Sequence, residues 1–494
     1  MSERILADLI DGVLAPGPQP PLFASYNPAG GALLGLAPLA DAARVDAAVG
    51  AARRAFDDGR WSGLPAVQRA DLLLALAEQL EANLDALARA ESADTGMLLS
   101  MTAHGHLPRA IAHCRYFAAE CQRLSGECLA MDTAYWQIVQ REPLGVVAIL
   151  APWNAPLAVA TINLAAALAM GNTVVLKSSE RAPFTLSLLA ELIAALDFPA
   201  GVVNIIHGPA NPSGQALARH PQLDGLCFVG GVDAARDIAA QPVSAFRRTL
   251  YELGGKSPTI VLADADLDAA VDGALLAAFA SNGEVCTAGS RLLLQQDIKA
   301  AFLERFVERV RRLRIGDPCD AASELGPMID LAHLESIERH VQLAQQQGGR
   351  LLCGGQRPAD LHGSYLQAAV LDDITPQMSL FRQEVFGPVV AVTAFATAEQ
   401  AVALANDSDY GLAATVWSAD TSQALRLARQ LRSGVVAINS PVIRDVRAPF
   451  GGRGASGLGR VGGRWSLEQY SELKTCSLPL DGYPLPRLGA AGAE

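Results

Sequence analysis

The sequence predicts an α/β protein built on two doubly wound parallel sheets, and three observations carry that expectation. At 494 residues the chain is too long for one hydrophobic core, so it divides into two or three domains. Short apolar runs of strand length alternate with longer runs of helical spacing through most of it, the pattern of a parallel sheet covered by helices on both faces. Two glycine turns, His207-Gly-Pro-Ala-Asn-Pro-Ser-Gly214 and Phe228-Val-Gly-Gly231, each join a strand to a helix, where exposed N–H groups and the helix dipole favour a pyrophosphate, although either alone reads as an ordinary turn.

In chain order, turn signals at Pro16–Pro21 and Asn27–Gly31 precede helical periodicity over Asp41–Phe56 and Pro65–Ser92, and a further helix over Pro108–Cys121. Tyr135–Arg141 alternates as an extended strand. Then Val146–Leu150 (strand), Leu157–Ala169 (helix) and Thr173–Leu176 (strand) form one unit. Thr185–Leu196, Val202–Ile206, Ser213–Arg219, Gly225–Val229 and Asp233–Ala240 continue the alternation. No Gly-x-Gly-x-x-Gly follows the first strand, so the usual dinucleotide fingerprint is absent. A second alternating series runs through Thr259–Leu262, Leu267–Phe279, Arg291–Leu294, Ile298–Arg311, Leu334–Gln347, Ala368–Leu371, Thr397–Asn406, Thr415–Ser418 and Val435–Asn439. The extended tail piece Leu473–Leu478 has no partner in its own neighbourhood and is a candidate for pairing across subunits.

Composition narrows the function classes. Half the residues are apolar and 18% are charged, and apolar runs are interrupted before they reach membrane-spanning length, so a globular protein without membrane spans is expected. The net charge of −12 argues against nucleic acid or an anionic membrane as a partner, while leaving room for a local basic pocket. Met1–Asp11 carries charge rather than a basic end and an apolar core, and cytoplasmic residence follows as the expectation. Eight cysteines are scattered without paired spacing, which favours free thiols over a disulfide framework and gives no metal site.

Cys286, flanked by Gly283, Thr287, Ala288, Gly289 and Ser290, is the candidate nucleophile. Small neighbours leave room for a substrate carbon and let backbone N–H groups approach it. Upstream, Glu252 precedes Gly254 and Gly255, which would let its carboxylate turn toward the thiol as a general base. A lone cysteine is ordinarily a small buried hydrophobe, so the thiol by itself does not decide the matter.

The strings Glu252-Leu-Gly-Gly-Lys-Ser-Pro258 and Gly283-Glu-Val-Cys-Thr-Ala-Gly-Ser-Arg291, in that order, resemble the two signature segments of the NAD(P)-dependent aldehyde dehydrogenases, and the similarity runs from about Asn27 to Leu478. The resemblance implies that fold, with a variant Rossmann NAD-binding domain (1–122 and 141–252), a catalytic domain (253–432), oligomerisation strands (123–140 and 466–482) and a substrate-tunnel segment (433–465). It implies Cys286 as nucleophile, Glu252 as the base that activates water, and Asn154 in Pro-Trp-Asn as an oxyanion-hole amide beside the N–H of Cys286. Asn154 as a cap of the helix that follows is the alternative. For the cofactor it implies Leu150, Pro152 and Trp153; Lys177 and Glu180 at the adenosine ribose; Gly208 and Gly214; Phe228, Gly230 and Gly231; Leu253; and Glu384 and Phe386 at the nicotinamide end. A carboxylate at Glu180 repels a 2′-phosphate, so NAD is expected over NADP. Gly231 stands where the family has a phosphate-binding serine, and Asn163 where many members have a lysine that relays protons.

A narrower resemblance lies near the end. Asn439-Ser-Pro-Val-Ile-Arg-Asp-Val-Arg-Ala-Pro-Phe-Gly-Gly452, with Glu284 ahead of the cysteine, is similar to the 2-hydroxymuconate and 5-carboxymethyl-2-hydroxymuconate semialdehyde dehydrogenase branch. It implies substrate contacts from Arg109, Arg444, Phe450 and Thr287, the two guanidinium groups clamping a carboxylate. The alternatives are that Arg444 pairs with Asp445 and that Arg109 is solvated. The expected enzyme is then a homodimer or homotetramer that oxidises a carboxylated semialdehyde through a cysteine thioester. Neutral aromatic or aliphatic aldehydes, a CoA-acylating variant and a non-catalytic relative are the other readings; retained Glu252 speaks against CoA, and the intact Cys286, Glu252 and Asn154 against loss of catalysis.

Overall fold

A computed structural model describes residues 4–15, 21–130, 135–240, 246–480, 485 and 488–489. Two large sheets organise them. The first has eight strands in the order Gly457–Leu458, Arg248–Glu252, Gly225–Val229, Val146–Leu150, Thr173–Lys177, Val203–Ile206, Asp8–Ile10, Val13–Ala15. Its five central strands are parallel and its edges antiparallel. Val146–Leu150 and Thr173–Lys177 are buried at every position, which is why they read as unbroken apolar runs: helices cover both faces. From Val146–Leu150 the chain winds outward through Thr173–Lys177 and Val203–Ile206, then returns to lay Gly225–Val229 on the other side. The crevice at the carboxyl ends of those diverging strands is where an open α/β sheet binds its ligand.

The second sheet has seven strands, Arg350–Cys353, Ala369–Asp372, Val389–Phe395, Arg291–Gln295, Pro258–Val261, Ala413–Trp417 and Val435–Ile438, parallel but for the first. Both sheets match the expected α/β class. Helix starts follow local chemistry. The Asp41 carboxylate accepts the Arg44 N–H at 2.9 Å to open Ala42–Asp57, and Asp266 caps Leu267–Phe279.

Two expectations are revised. The helical stretch Pro65–Ser92 is two helices, Ala66–Ala82 and Leu84–Thr95, broken at Asn83, whose side-chain amide bonds back to the Gln79 carbonyl at 2.9 Å. The tail strand Ser471–Pro479 does have a partner in its own chain: it pairs antiparallel with Tyr135–Pro143 along its whole length, and Glu127–Ala130 completes a three-stranded sheet. Local patterning could not see a partner some 330 residues away.

Candidate active site

The helix Leu267–Phe279 ends, and the chain turns through three consecutive left-handed residues, Ser281 (φ 52°), Asn282 (φ 58°) and Gly283 (φ 70°), before reaching Cys286. Two of the three carry a Cβ, so the turn is strained and needs outside support. Asn282 supplies it: its buried carbonyl oxygen accepts the Gly326 N–H at 2.8 Å and its amide donates to the Pro327 carbonyl at 3.1 Å. Asn282 was not singled out from the sequence, although asparagine's tolerance of this conformation was the available signal.

Gly254 and Gly255 act by letting groups approach rather than by freeing Glu252 to turn. A Cβ on Gly254 would lie 2.0 Å from a Glu384 carboxylate oxygen, and one on Gly255 would lie 2.3 Å from the Cys286 carbonyl. The Gly255 N–H donates to Glu384 Oε1 at 2.8 Å, which ties the segment after Glu252 to the predicted nicotinamide-end residue. Asn154 does not cap the helix Pro156–Ala169, whose first residues have no side-chain cap; its amide Nδ2 donates to the Glu284 carbonyl at 2.9 Å, in the turn that carries Cys286.

Glu252 closes its strand with one carboxylate oxygen, Oε1, buried and without a hydrogen-bond partner. Burial drives its pKa up to about 8, against the opposing pull of Arg444 and Arg460. Burial also raises the Cys286 thiol. Arg444, whose Nη2 is 3.7 Å from Sγ, lowers it, and the carboxylates of Glu252 and Glu384 raise it.

These groups face one continuous cavity of about 1280 Å³. Cys286, Glu252 and Asn154 line it, as do Leu150, Pro152, Trp153, Lys177, Glu180, Gly214, Phe228, Gly230, Gly231, Leu253, Glu384 and Phe386, and, of the residues expected to contact substrate, Arg109, Arg444, Phe450 and Thr287. Gly208 is the one predicted site residue outside the lining. Its carbonyl accepts a hydrogen bond from Lys177 Nζ and its open conformation (φ 148°) leaves room for Ser213, so it positions Lys177.

Residues 16–476 match the sequence model of the aldehyde dehydrogenase family. The chain belongs to that family. The 5-carboxymethyl-2-hydroxymuconate semialdehyde dehydrogenase of Escherichia coli is 38% identical over 90% of this chain and 95% of its own. The 2-hydroxymuconic semialdehyde dehydrogenase of Pseudomonas sp. (strain CF600) is 38% identical over 93% of this chain and 96% of its own. The solved structure of an NAD-dependent aldehyde dehydrogenase from Sinorhizobium meliloti superposes with a TM-score of 0.96 at 36% identity, covering 98% of this chain and 97% of that one. The present enzyme is therefore an aldehyde dehydrogenase with NAD as its acceptor.

The cavity's far half fits that cofactor. Val232–Ala239 begins at Gly231 with no side-chain cap, so its first N–H groups are free at the cavity wall beside Gly230, and a Cβ on Gly231 would meet nothing within 4 Å. The backbone there can take the phosphate contact that the missing serine would make. Glu180 and buried Lys177 stand along the same wall, and Trp153 meets Phe386 edge-on at 5.2 Å near the other end.

At the expected substrate end, Arg109 is half-buried, its buried Nε has no partner, and desolvation together with Arg444 lowers its pKa to about 10. Arg444 lies over the Phe450 ring, 3.3 Å from the centroid. Asp445 is not its partner: that carboxylate is taken by Arg447, at 2.6 Å. Glu284 lies away from the cavity, fully buried with its Oε1 accepting the Ile329 N–H at 3.1 Å, so its part in the resemblance is not a substrate contact. Asn163 is held by the Tyr470 hydroxyl, which donates to its Oδ1 at 2.8 Å, so this position is occupied by a neutral buried pair instead of a titratable amine.

Proposed function

We propose that the enzyme oxidises a carboxylated semialdehyde to the acid through a Cys286 thioester that water hydrolyses. In this reading the thiolate adds to the aldehyde carbon and the new oxyanion is received by the Asn154 amide and the Cys286 N–H. NAD, when bound, supplies the hydride acceptor. Glu252, in its ionised form, takes a proton from the water that attacks the thioester, and cleavage of the C–S bond returns the thiolate. The unpartnered oxygen of Glu252 is free to accept that proton.

The observation that carries the substrate class is the pair of cations, Arg109 and Arg444, that line the cavity together with Cys286. Arg109 is half-buried with a buried, unpartnered Nε, and the exposed Arg444 leaves its neighbouring carboxylate to Arg447, so both remain available to an anion. The semialdehyde named in the two muconic relatives fits this charge. Selectivity for NAD over NADP would rest on Glu180. Assembly as a homodimer or homotetramer would use the three-stranded sheet, which exposes Leu129, Trp136, Ile138, Leu473 and Leu478.

The test is NADH production from adipic semialdehyde, hexanal and benzaldehyde by wild type and Arg444→Ala. Arg444 is exposed, so a charge-assisted hydrogen bond from it is worth about 1.5–3 kcal/mol, and the preference for the carboxylated substrate should fall about tenfold or more. Equal turnover of all three aldehydes by both proteins would leave only the general aldehyde dehydrogenase.

A further inference from the structure

Ahead of Arg109 the chain makes a wide turn, Thr102–His106, in which helical hydrogen bonds skip one residue further than usual; such turns are frequent at functional sites. The Thr102 hydroxyl bonds to the Ala88 and Leu99 carbonyls at 3.0 Å each and holds the turn. It delivers His106, only 4% exposed, to the cavity wall one helical turn before Arg109. The ring's Nδ1 lies 2.7 Å from Oε1 of Glu91, a carboxylate that is wholly buried and whose Oε2 also accepts the Leu157 N–H. Nε2 has no hydrogen-bond partner among the described residues.

The chemistry of the buried pair decides what Nε2 presents. The Glu91 carboxylate, at zero exposure, is compensated by the ring, by the Leu157 N–H and by the charge of Arg109 nearby. With Nδ1–H given to that carboxylate, a neutral ring leaves Nε2 a bare acceptor, and a protonated ring carries N–H there, the form that a bound anion selects. In that protonated form the wall offers an N–H donor at His106 beside the guanidinium of Arg109, with Arg444 facing the same space. A carboxylate has lone pairs for more than one guanidinium and can accept all three.

We propose that His106, held by Glu91, is a third recognition group for the carboxylated end of the substrate, donating Nε2–H alongside Arg109. This rests on the reading that the substrate is an anionic semialdehyde, and names the residue that completes its carboxylate site.

The experiment compares kcat/KM for adipic semialdehyde and hexanal in wild type, His106→Ala and His106→Phe, with melting temperatures and with the inhibition constant of adipate against hexanal oxidation. Loss of a hydrogen bond to a charged group predicts a fall in the adipic-to-hexanal ratio of about tenfold to hundredfold, carried by KM, and a matching rise in the adipate constant. A purely structural histidine would lower the melting temperature and leave that ratio alone. If wild type prefers adipic semialdehyde, Arg444→Ala loses the preference and both His106 variants keep it, the assignment of His106 is overturned and the substrate class stands. If wild type shows neither preference nor inhibition by adipate, the substrate class itself falls, and His106 with it.

Discussion

Glu252→Gln is a perturbation whose consequences can be worked from the burial of one carboxyl group. Glutamine keeps the shape and removes the charge. The folded pKa of about 8 against 4.5 for the free side chain means that, between those values, the folded protein holds a proton that the unfolded chain has released. Stability attributable to this group therefore falls as pH rises through that window, the reverse of a salt-bridged carboxylate. By linkage the destabilisation is about 2 kcal/mol at pH 6 and approaches about 5 kcal/mol at pH 9. Glu252→Gln escapes it, so the variant should gain about 2–3 kcal/mol more over wild type at pH 9 than at pH 6. Urea denaturation of the cofactor-free proteins at both pH values reads the difference. Hydrolysis should have the opposite pH dependence, rising as Glu252 ionises, because only the carboxylate accepts a proton. An offset between the two proteins that is equal at both pH values would refute the buried, proton-retaining carboxyl.

Two further outcomes follow from close approach and exposed surface. Gly254→Ala should raise the KM for NAD about tenfold or more with little change in melting temperature, because a Cβ 2.0 Å from Glu384 must push that carboxylate aside; saturation kinetics in NAD would check it. Leu473→Asp together with Leu478→Asp, which charge two residues 60% and 49% exposed on the tail strand, should lower the mass seen in sedimentation while leaving the fold intact; an unchanged mass would place the subunit contact elsewhere.

Much of the fold was legible because the two parallel sheets are written in local patterns. Gly225–Val229 and Leu267–Phe279 end where their apolar runs end, and the strands buried on both faces need no partner information to be recognised. Elements whose stability comes from distant contacts were not. The short strands Asp8–Ile10 and Val13–Ala15 form an antiparallel edge held by Val203–Ile206 and by the buried Asp8, which is ion-paired with Arg44. Val389–Phe395 and the helix Thr421–Gln430 are likewise absent from the local reading, the first beginning three residues after Phe386.

The site divides along the same line. Cys286, Glu252 and Asn154 come from three separate segments, and motif strings named them. Asn282, which holds the strained turn, and the pair of Glu91 and His106 were not legible, because each matters through a partner far away in sequence. The glycines after Glu252 show a subtler gap. Both glycines are visible in the sequence, but what they make room for, the Glu384 carboxylate and the Cys286 carbonyl, exists only in three dimensions.

The most direct test of the account is a single turnover of Glu252→Gln with NAD and an aldehyde, followed by digestion and mass analysis of the peptide that carries Cys286. With attack by this thiol and hydrolysis through Glu252, the variant should release close to one NADH per active site, then stall with the acyl group on Cys286. Cys286→Ala should form neither product nor adduct. Steady turnover by the Gln variant without accumulation, or an acyl group on any other cysteine, would contradict it.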